Sequence, residues 1–79
     1  MTTVAEWRED DAGLHRTFTF NDFAEAWEFM SKVATLAEEQ DHHPDWSNSW
    51  NTVEITLISH DARRVTSRDR RLAAAIDEL

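Results

Sequence analysis

The chain has 79 residues, no cysteine and a formal net charge of −8. This length predicts a single domain over residues 1–79, and the lack of cysteine excludes disulfides and thiolate metal sites. The negative charge argues against nucleic acid as a partner, because such binding depends on neutralising phosphates with Lys and Arg. No apolar run is long enough for a membrane span, and residues 1–6 do not resemble a signal peptide. We therefore expect a cytoplasmic protein that does not bind membranes.

The first predicted element is a β-hairpin. Residues 6–8 and 14–19 alternate in polarity and flank the polar stretch from Glu9 to Gly13. Such a pattern is typical of two antiparallel strands joined by a turn. Trp7 is expected to pack against this hairpin.

A long amphipathic helix follows the hairpin. Asn21 is the expected N-cap, and apolar residues then recur at spacings of three and four up to Gln40. Trp27 and the phenylalanines are expected to lie in the core. Pro44 disfavours helical geometry at the residue before it, so the helix should end just before the pair His42-His43.

The second half of the chain predicts two strands and a helix. Asp45 to Ser49 is expected to be short and extended, and Asn51 to Ser59 alternates like a strand with Val53, Ile55 and Leu57 on one face. Thr66 and Asp69 resemble a capping box, which would begin a last helix. The residues on one face of that helix are Leu72, Ala73, Ile76 and Leu79.

The resulting order ββαββα predicts an α+β fold. It should have two layers, with a four-stranded antiparallel sheet and both helices on one face. A domain of this size buries only about 60–65% of its unfolded surface. Because the first helix is also apolar on both faces, we expect a homodimer or a homotetramer.

Histidines are concentrated in one part of the chain. His42, His43 and His60 fall within nineteen positions, and imidazole titrates near neutral pH. The nearby carboxylate of Glu38 or Asp45 could favour the imidazolium or orient a ring. Histidine is also favoured at a helix C-terminus by the helix dipole, which is a purely structural alternative.

Other chemistries have less support in the sequence. The histidines lack the spacing of a zinc site, so we expect no metal. There is no glycine-rich phosphate loop and no nucleophile elbow. Trp46 could form a wall for a flat heterocycle or pack in the core, whereas Trp50 is expected to pack. Proton transfer by imidazole is the chemistry that remains.

These residues together resemble a known family. His42-His43-Pro44-Asp45-Trp46, Trp50-Asn51, residues 53–57, His60-Asp61 and Thr66 with Asp69 are similar in order and spacing to the pterin-4a-carbinolamine dehydratase family. The resemblance extends from about Trp7 to Ile76. It implies the same fold, and dehydration of 4a-hydroxytetrahydrobiopterin to quinonoid dihydropterin without metal or cofactor. That reaction recycles the pterin of aromatic amino-acid hydroxylases, which are the implied pathway partners.

The resemblance also assigns site residues. The active-site histidines correspond to His42, His43 and His60, and the positions that shape or support the substrate pocket correspond to Glu38, Trp46 and Asp69. The resemblance implies no catalytic metal ion.

Two departures from the family pattern stand out. The chain lacks the helix that many relatives carry before the hairpin, so we expect a minimal version of the domain. In addition, Arg63-Arg64-Val65 replaces a loop that usually contains glycine. If that glycine has a positive φ, Arg64 would be strained.

A second function remains open. Some relatives act as dimerisation cofactors of a transcription factor or resemble assembly factors, which suggests a non-catalytic protein-binding module. The crowded arginines between residues 63 and 71 would favour docking of a partner. The three retained histidines favour the enzyme, because a scaffold does not need them.

Overall fold

The structure is a computed structural model that describes residues 6–79, so the first five residues of the predicted domain lie outside it. The predicted order ββαββα and the α+β class are confirmed. The elements are β1 (Arg8–Asp10), β2 (Gly13–Thr19), α1 (Phe23–Gln40), β3 (Asp45–Ser49), β4 (Thr52–Leu57) and α2 (Ser67–Asp77).

The four strands form one antiparallel sheet in the order β1-β2-β4-β3. Leu14 lies opposite Leu57, Phe18 lies opposite Val53, and Trp46 lies opposite Ile55. Directly opposed residues share a face, so these side chains mark the face that the helices cover. The predicted alternation of β4 is therefore confirmed.

The first hairpin is tighter than the sequence indicated. Asp10 pairs with Gly13, so the turn contains only Asp11 and Ala12, and β1 begins at Arg8 rather than at residue 6. Gly13 has a φ of 136°, and a Cβ atom there would lie 2.5 Å from the carbonyl oxygen of Leu57. Only glycine satisfies both conditions, which fixes the end of the turn.

Both helices pack on one face of the sheet, as predicted. One buried cluster joins residues of the sheet to residues of α1 and α2: Leu14, Val53, Ile55, Leu57, Ala26, Val33, Leu72, Ala73 and Ile76. Trp7 is buried beside it and donates a hydrogen bond from Nε1 to Asp77 at 3.1 Å. Its ring also lies edge-on to Phe18 of β2, with centroids 6.0 Å apart, which confirms that Trp7 packs against the hairpin.

The N-cap of α1 is Asp22, not Asn21 as expected. The Asp22 side chain accepts a hydrogen bond from the backbone N–H of Glu25 at 2.9 Å. Asn21 lies one residue outside the helix, where its own N–H donates to the Glu25 carboxylate at 3.0 Å. Because both residues are good caps, the sequence did not distinguish them.

Several aromatic side chains expected to pack are exposed instead. Trp27 is 58% exposed, Phe23 is also exposed, and Trp50 is 65% exposed. The stripe that α1 buries centres on Ala26, Val33 and Ala37, on a different side of the helix. The remaining phenylalanines, which pack against the core as expected, are Phe18, Phe20 and Phe29.

The loop and helix after β4 depart from expectation in two places. The capping box of Thr66 and Asp69 is present, which confirms where α2 begins. The positive φ of the preceding loop lies at Arg63, at 58°, rather than at Arg64. Leu79 was expected on one helix face with Leu72, Ala73 and Ile76, but it follows the end of α2 and is exposed, whereas those three residues are buried. Neither helix of the described chain combines the length and apolar sequence that a membrane span requires.

Candidate active site

The predicted histidines lie where four elements meet. The helix α1 ends at Gln40, and Asp41 adopts the left-handed conformation with a φ of 51°. The chain then turns through His42 and His43 into β3, whose partner strand β4 leads to His60. Pro44 prevents α1 from continuing, which places the histidine pair at this junction.

His42 faces inward and pairs with a buried carboxylate. Its Nε2 atom lies 2.5 Å from Oδ1 of Asp69, in the first turn of α2. The His42 side chain is 10% exposed, and the Asp69 carboxylate is fully buried. The other Asp69 oxygen accepts hydrogen bonds from the Ser59 hydroxyl and the Thr66 backbone N–H, each at 2.8 Å.

These hydrogen bonds determine the charge of Asp69. Burial by itself would raise the pKa of the carboxyl group, because it disfavours the anion. The donors from His42, Thr66 and Ser59 outweigh burial and hold the Asp69 pKa below its ordinary value of 3.8. Asp69 is therefore an anion at neutral pH.

His43 and His60 have exposed carboxylate partners. His43 Nε2 lies 2.6 Å from Glu38, and the histidine side chain is 57% exposed. His60 Nε2 lies 3.0 Å from Asp45, and this histidine is 71% exposed. Adjacent residues of an extended segment point to opposite sides, which explains why His42 faces inward and His43 outward.

A chain of contacts joins the three pairs. Asp69 binds both His42 and the hydroxyl of Ser59, which immediately precedes His60. His60 in turn binds Asp45, two residues after His43. The structure therefore brings five of the six predicted site residues into one corner of the fold. Together with Asp45, they form three histidine–carboxylate pairs.

The sixth predicted residue, Trp46, lies on the face of the sheet that the helices cover. It is half-buried opposite Ile55 and lines an apolar cavity of about 270 Å³. The other residues of this cavity belong to α1: Trp27, Met30, Ser31 and Ala34. Contact of Trp46 with a substrate stays a prediction.

Ser59 is the site residue that the sequence analysis missed. It is fully buried, and Ser59 and Thr66 hydroxyl oxygens lie 2.6 Å apart. A signal was present, because position 59 continues the buried alternation of residues 53, 55 and 57. A hydroxyl at that position predicts a buried polar partner.

The fourth histidine makes no hydrogen bond to these three pairs, and Thr56 of β4 separates it from Asp45 across the sheet. His15 is in β2, on the uncovered face of the sheet, where Nε2 lies 2.8 Å from Asp10 and Nδ1 lies 3.0 Å from the Thr56 hydroxyl. Its hydrogen bond lowers the pKa of Asp10. His15 and Asp10 thus form a chemically similar pair that was not part of the predicted site.

The arrangement supports proton transfer. Within residues 6–79, no three histidine or carboxylate side chains come together in a way that would hold a metal ion. Each imidazole instead has one nitrogen at a carboxylate. That geometry orients the ring, as general acid–base catalysis requires.

Comparisons with known proteins identify the family of this chain. The family model described as pterin 4 alpha carbinolamine dehydratase matches residues 1–79. Curated relatives provisionally named as this dehydratase are 47% identical in Novosphingobium aromaticivorans and 51% identical in Afipia carboxidovorans. Each alignment covers the whole chain, and 84% and 81% of the respective relatives.

Two solved structures are similar as well. A transcriptional coactivator/pterin dehydratase from Brucella melitensis superposes with a TM-score of 0.87 at 37% identity, covering 92% of this chain and 80% of its own. A pterin dehydratase-like protein described as a RuBisCO assembly factor in the alpha-carboxysome has a TM-score of 0.74 at 26% identity, covering 91% and 83%. With a full-length family match and close relatives, the chain belongs to the pterin 4 alpha carbinolamine dehydratase family.

Proposed function

We propose that this protein is a hydro-lyase that dehydrates 4a-hydroxytetrahydrobiopterin to quinonoid dihydropterin. One acid donates a proton to the 4a-hydroxyl, the carbon–oxygen bond breaks, and water leaves. One base removes a proton from a ring nitrogen, whose electron pair forms the new carbon–nitrogen double bond. The reaction is neither an oxidation nor a reduction, so positioned imidazoles can supply both proton transfers.

The observation that carries this proposal is the set of three histidine–carboxylate pairs. His42, His43 and His60 each have Nε2 within 3.0 Å of a carboxylate oxygen. Each carboxylate therefore orients its ring through Nε2 and leaves Nδ1 as the second nitrogen that can exchange a proton. A site with several such groups can hold one as acid and another as base.

Stopped-flow absorbance of the dehydration tests this proposal. We expect the wild-type protein to accelerate the reaction over buffer. His43→Ala and His60→Ala should each lose at least about tenfold, because one positioned acid or base contributes about 10²–10⁴-fold. His15→Ala is the matched control, because it removes an imidazole with the same kind of aspartate partner outside the site. Wild-type protein that does not exceed buffer would refute the proposal.

We also propose that a second copy of the chain covers the outer surface of α1. This surface consists of Phe23, Trp27, Ser31 and Ala34, all exposed and uncharged, in a chain in which 30% of residues are charged. Phe23 and Trp27 stack with ring centroids 6.5 Å apart. A two-fold pair would bring two copies of this uncharged surface together and leave the acidic side chains in water.

Sedimentation velocity tests the second copy. We expect wild type to sediment as a dimer or larger, and Trp27→Glu to sediment as the 9.2 kDa monomer. Lys32→Glu is the control, because it places a carboxylate at another exposed position of α1 and changes the net charge by two units instead of one. A wild-type monomer at micromolar concentration would contradict this proposal.

The alternative function is a non-catalytic protein-binding or assembly module. The names of the two similar structures include a transcriptional coactivator and an assembly factor. The exposed Arg63 and Arg64 lie three and four residues after His60, whereas Arg68 binds Asp61 at 2.7 Å. If dehydration is not accelerated, loss of a specific partner on charge reversal of Arg63 and Arg64 would support this alternative.

A further inference from the structure

The buried end of the site contains a fully satisfied carboxylate. Ser59 and Asp69 are buried polar side chains with no exposed surface. The Ser59 hydroxyl donates its one proton to Asp69, so the Thr66 hydroxyl must donate to the Ser59 oxygen, 2.6 Å away. The direction of every hydrogen bond around Asp69 is therefore determined.

These directions also determine which His42 nitrogen carries a proton. An ionised carboxylate can only accept hydrogen bonds, so the Nε2 atom of His42, 2.5 Å from Asp69, must be the donor. In the neutral ring Nδ1 is then the unprotonated nitrogen. A neutral imidazole with Nε2 protonated can accept a proton only at Nδ1.

We infer that Ser59 is a positioning residue, which fixes Asp69 and through it the tautomer of His42, so that Nδ1 of His42 exchanges the proton with the substrate. The catalytic part of this inference rests on the proposed dehydratase function. The positioning part rests on the hydrogen bonds alone.

The other two histidines show why Ser59 matters for His42 in particular. Glu38 and Asp45 are exposed, so water can replace either contact. The rings of His43 and His60 can therefore rotate at little cost, because exposed ion pairs contribute little to stability. Asp69 has no access to water, so no water molecule can replace a hydrogen-bond donor that it loses.

The Ser59 backbone has a separate structural role. Its N–H donates to Arg64 and its carbonyl accepts from Ala62 and Arg63, which holds the loop after β4. Ser59→Ala leaves these backbone contacts in place and removes only the hydroxyl. The variant therefore separates positioning of His42 from support of the loop.

Long-range ¹H–¹⁵N spectra of the imidazoles, recorded where the rings are neutral, test the inference directly. We expect wild-type His42 to show the Nε2–H tautomer. In Ser59→Ala the Asp69 carboxylate loses one of the donors that hold it and can turn away from the ring. Part of the His42 population should then release Nε2 and show the other tautomer, with no change at His43. Ser59→Thr, which retains a hydroxyl, should restore the wild-type His42 signal. If wild-type His42 shows the Nδ1–H tautomer, that spectrum alone overturns the inference.

The pH profile of dehydration provides the second readout, with rates normalised to the folded fraction. Loss of one donor raises the Asp69 pKa, so the acid side of the Ser59→Ala profile should move to higher pH and its plateau should fall about tenfold. A His42 spectrum and pH profile both identical to wild type would overturn the inference. Wild-type protein without dehydratase activity would instead refute the proposed function, and the spectra would decide the positioning of His42 separately.

Discussion

The three histidine pairs are alike in chemistry and different in environment. His42 and Asp69 are enclosed by α2 and the end of β4, whereas the pairs of His43 and His60 lie in solvent. A pair in water contributes about 0–1 kcal/mol, but loss of one partner from a buried pair costs about 3–5 kcal/mol. Contact distance alone therefore does not determine what a pair contributes to stability.

The difference suggests two kinds of role. His42 is held in one orientation by a network that was formed on folding, and so it is ready before the substrate binds. His43 and His60 can adjust to the substrate, because their partners Glu38 and Asp45 exchange with water. The predictions below test this contrast.

The largest expected effect is on stability. Asp69→Asn removes the anion of the buried pair and leaves the donors of His42, Ser59 and Thr66 facing an amide. We expect the free energy of unfolding to fall by about 3–5 kcal/mol in urea titrations. Glu38→Gln is the matched control and should change it by less than about 1 kcal/mol. Equal losses in the two variants would remove the distinction between the pairs.

The second prediction concerns acid. The Asp69 pKa is lowered in the folded protein, so its stabilisation is fully present above the unfolded pKa of about 3.9. The stabilisation is lost as the pH falls through the lower folded value. The difference in unfolding free energy between wild type and Asp69→Asn should therefore shrink from pH 5 to pH 2. Urea titrations that show a constant difference would contradict this account.

The smallest effects are expected at the exposed pairs. Glu38→Gln and Asp45→Asn should each lower the dehydration rate by no more than about fivefold, the equivalent of about 1 kcal/mol. The effect should also diminish in about 0.5 M salt, because exposed charges are screened. Stopped-flow rates at two salt concentrations measure it. A larger, salt-independent loss would show that these pairs resemble His42 and Asp69.

Much of the fold could be predicted because its signals are local. The alternation of Val53, Ile55 and Leu57 identifies the covered face of β4, and the capping box of Thr66 and Asp69 identifies where α2 begins. Pro44 identifies where α1 must have ended. Each signal depends on residues a few positions apart, so no tertiary contact is needed to interpret it.

What the sequence did not predict depends on distant contacts. The role of Ser59 requires the start of α2 to pack against the end of β4. The exposure of Trp27 and Trp50 depends on which side of each element faces the core, which hydrophobicity alone does not state. The positive φ at Arg63 instead of Arg64 follows from the hydrogen bonds of its loop to Ser59.

The stopped-flow comparison of His42→Ala with His15→Ala tests the central claim most directly. Both variants remove an imidazole that binds an aspartate, one inside the proposed site and one on the uncovered face of the sheet. With rates normalised to the folded fraction, the account predicts a loss of about 10²-fold in the dehydration rate for His42→Ala and no change for His15→Ala. Equal rates in the two variants would contradict the claim that the buried pair of His42 and Asp69 is the centre of a dehydratase site.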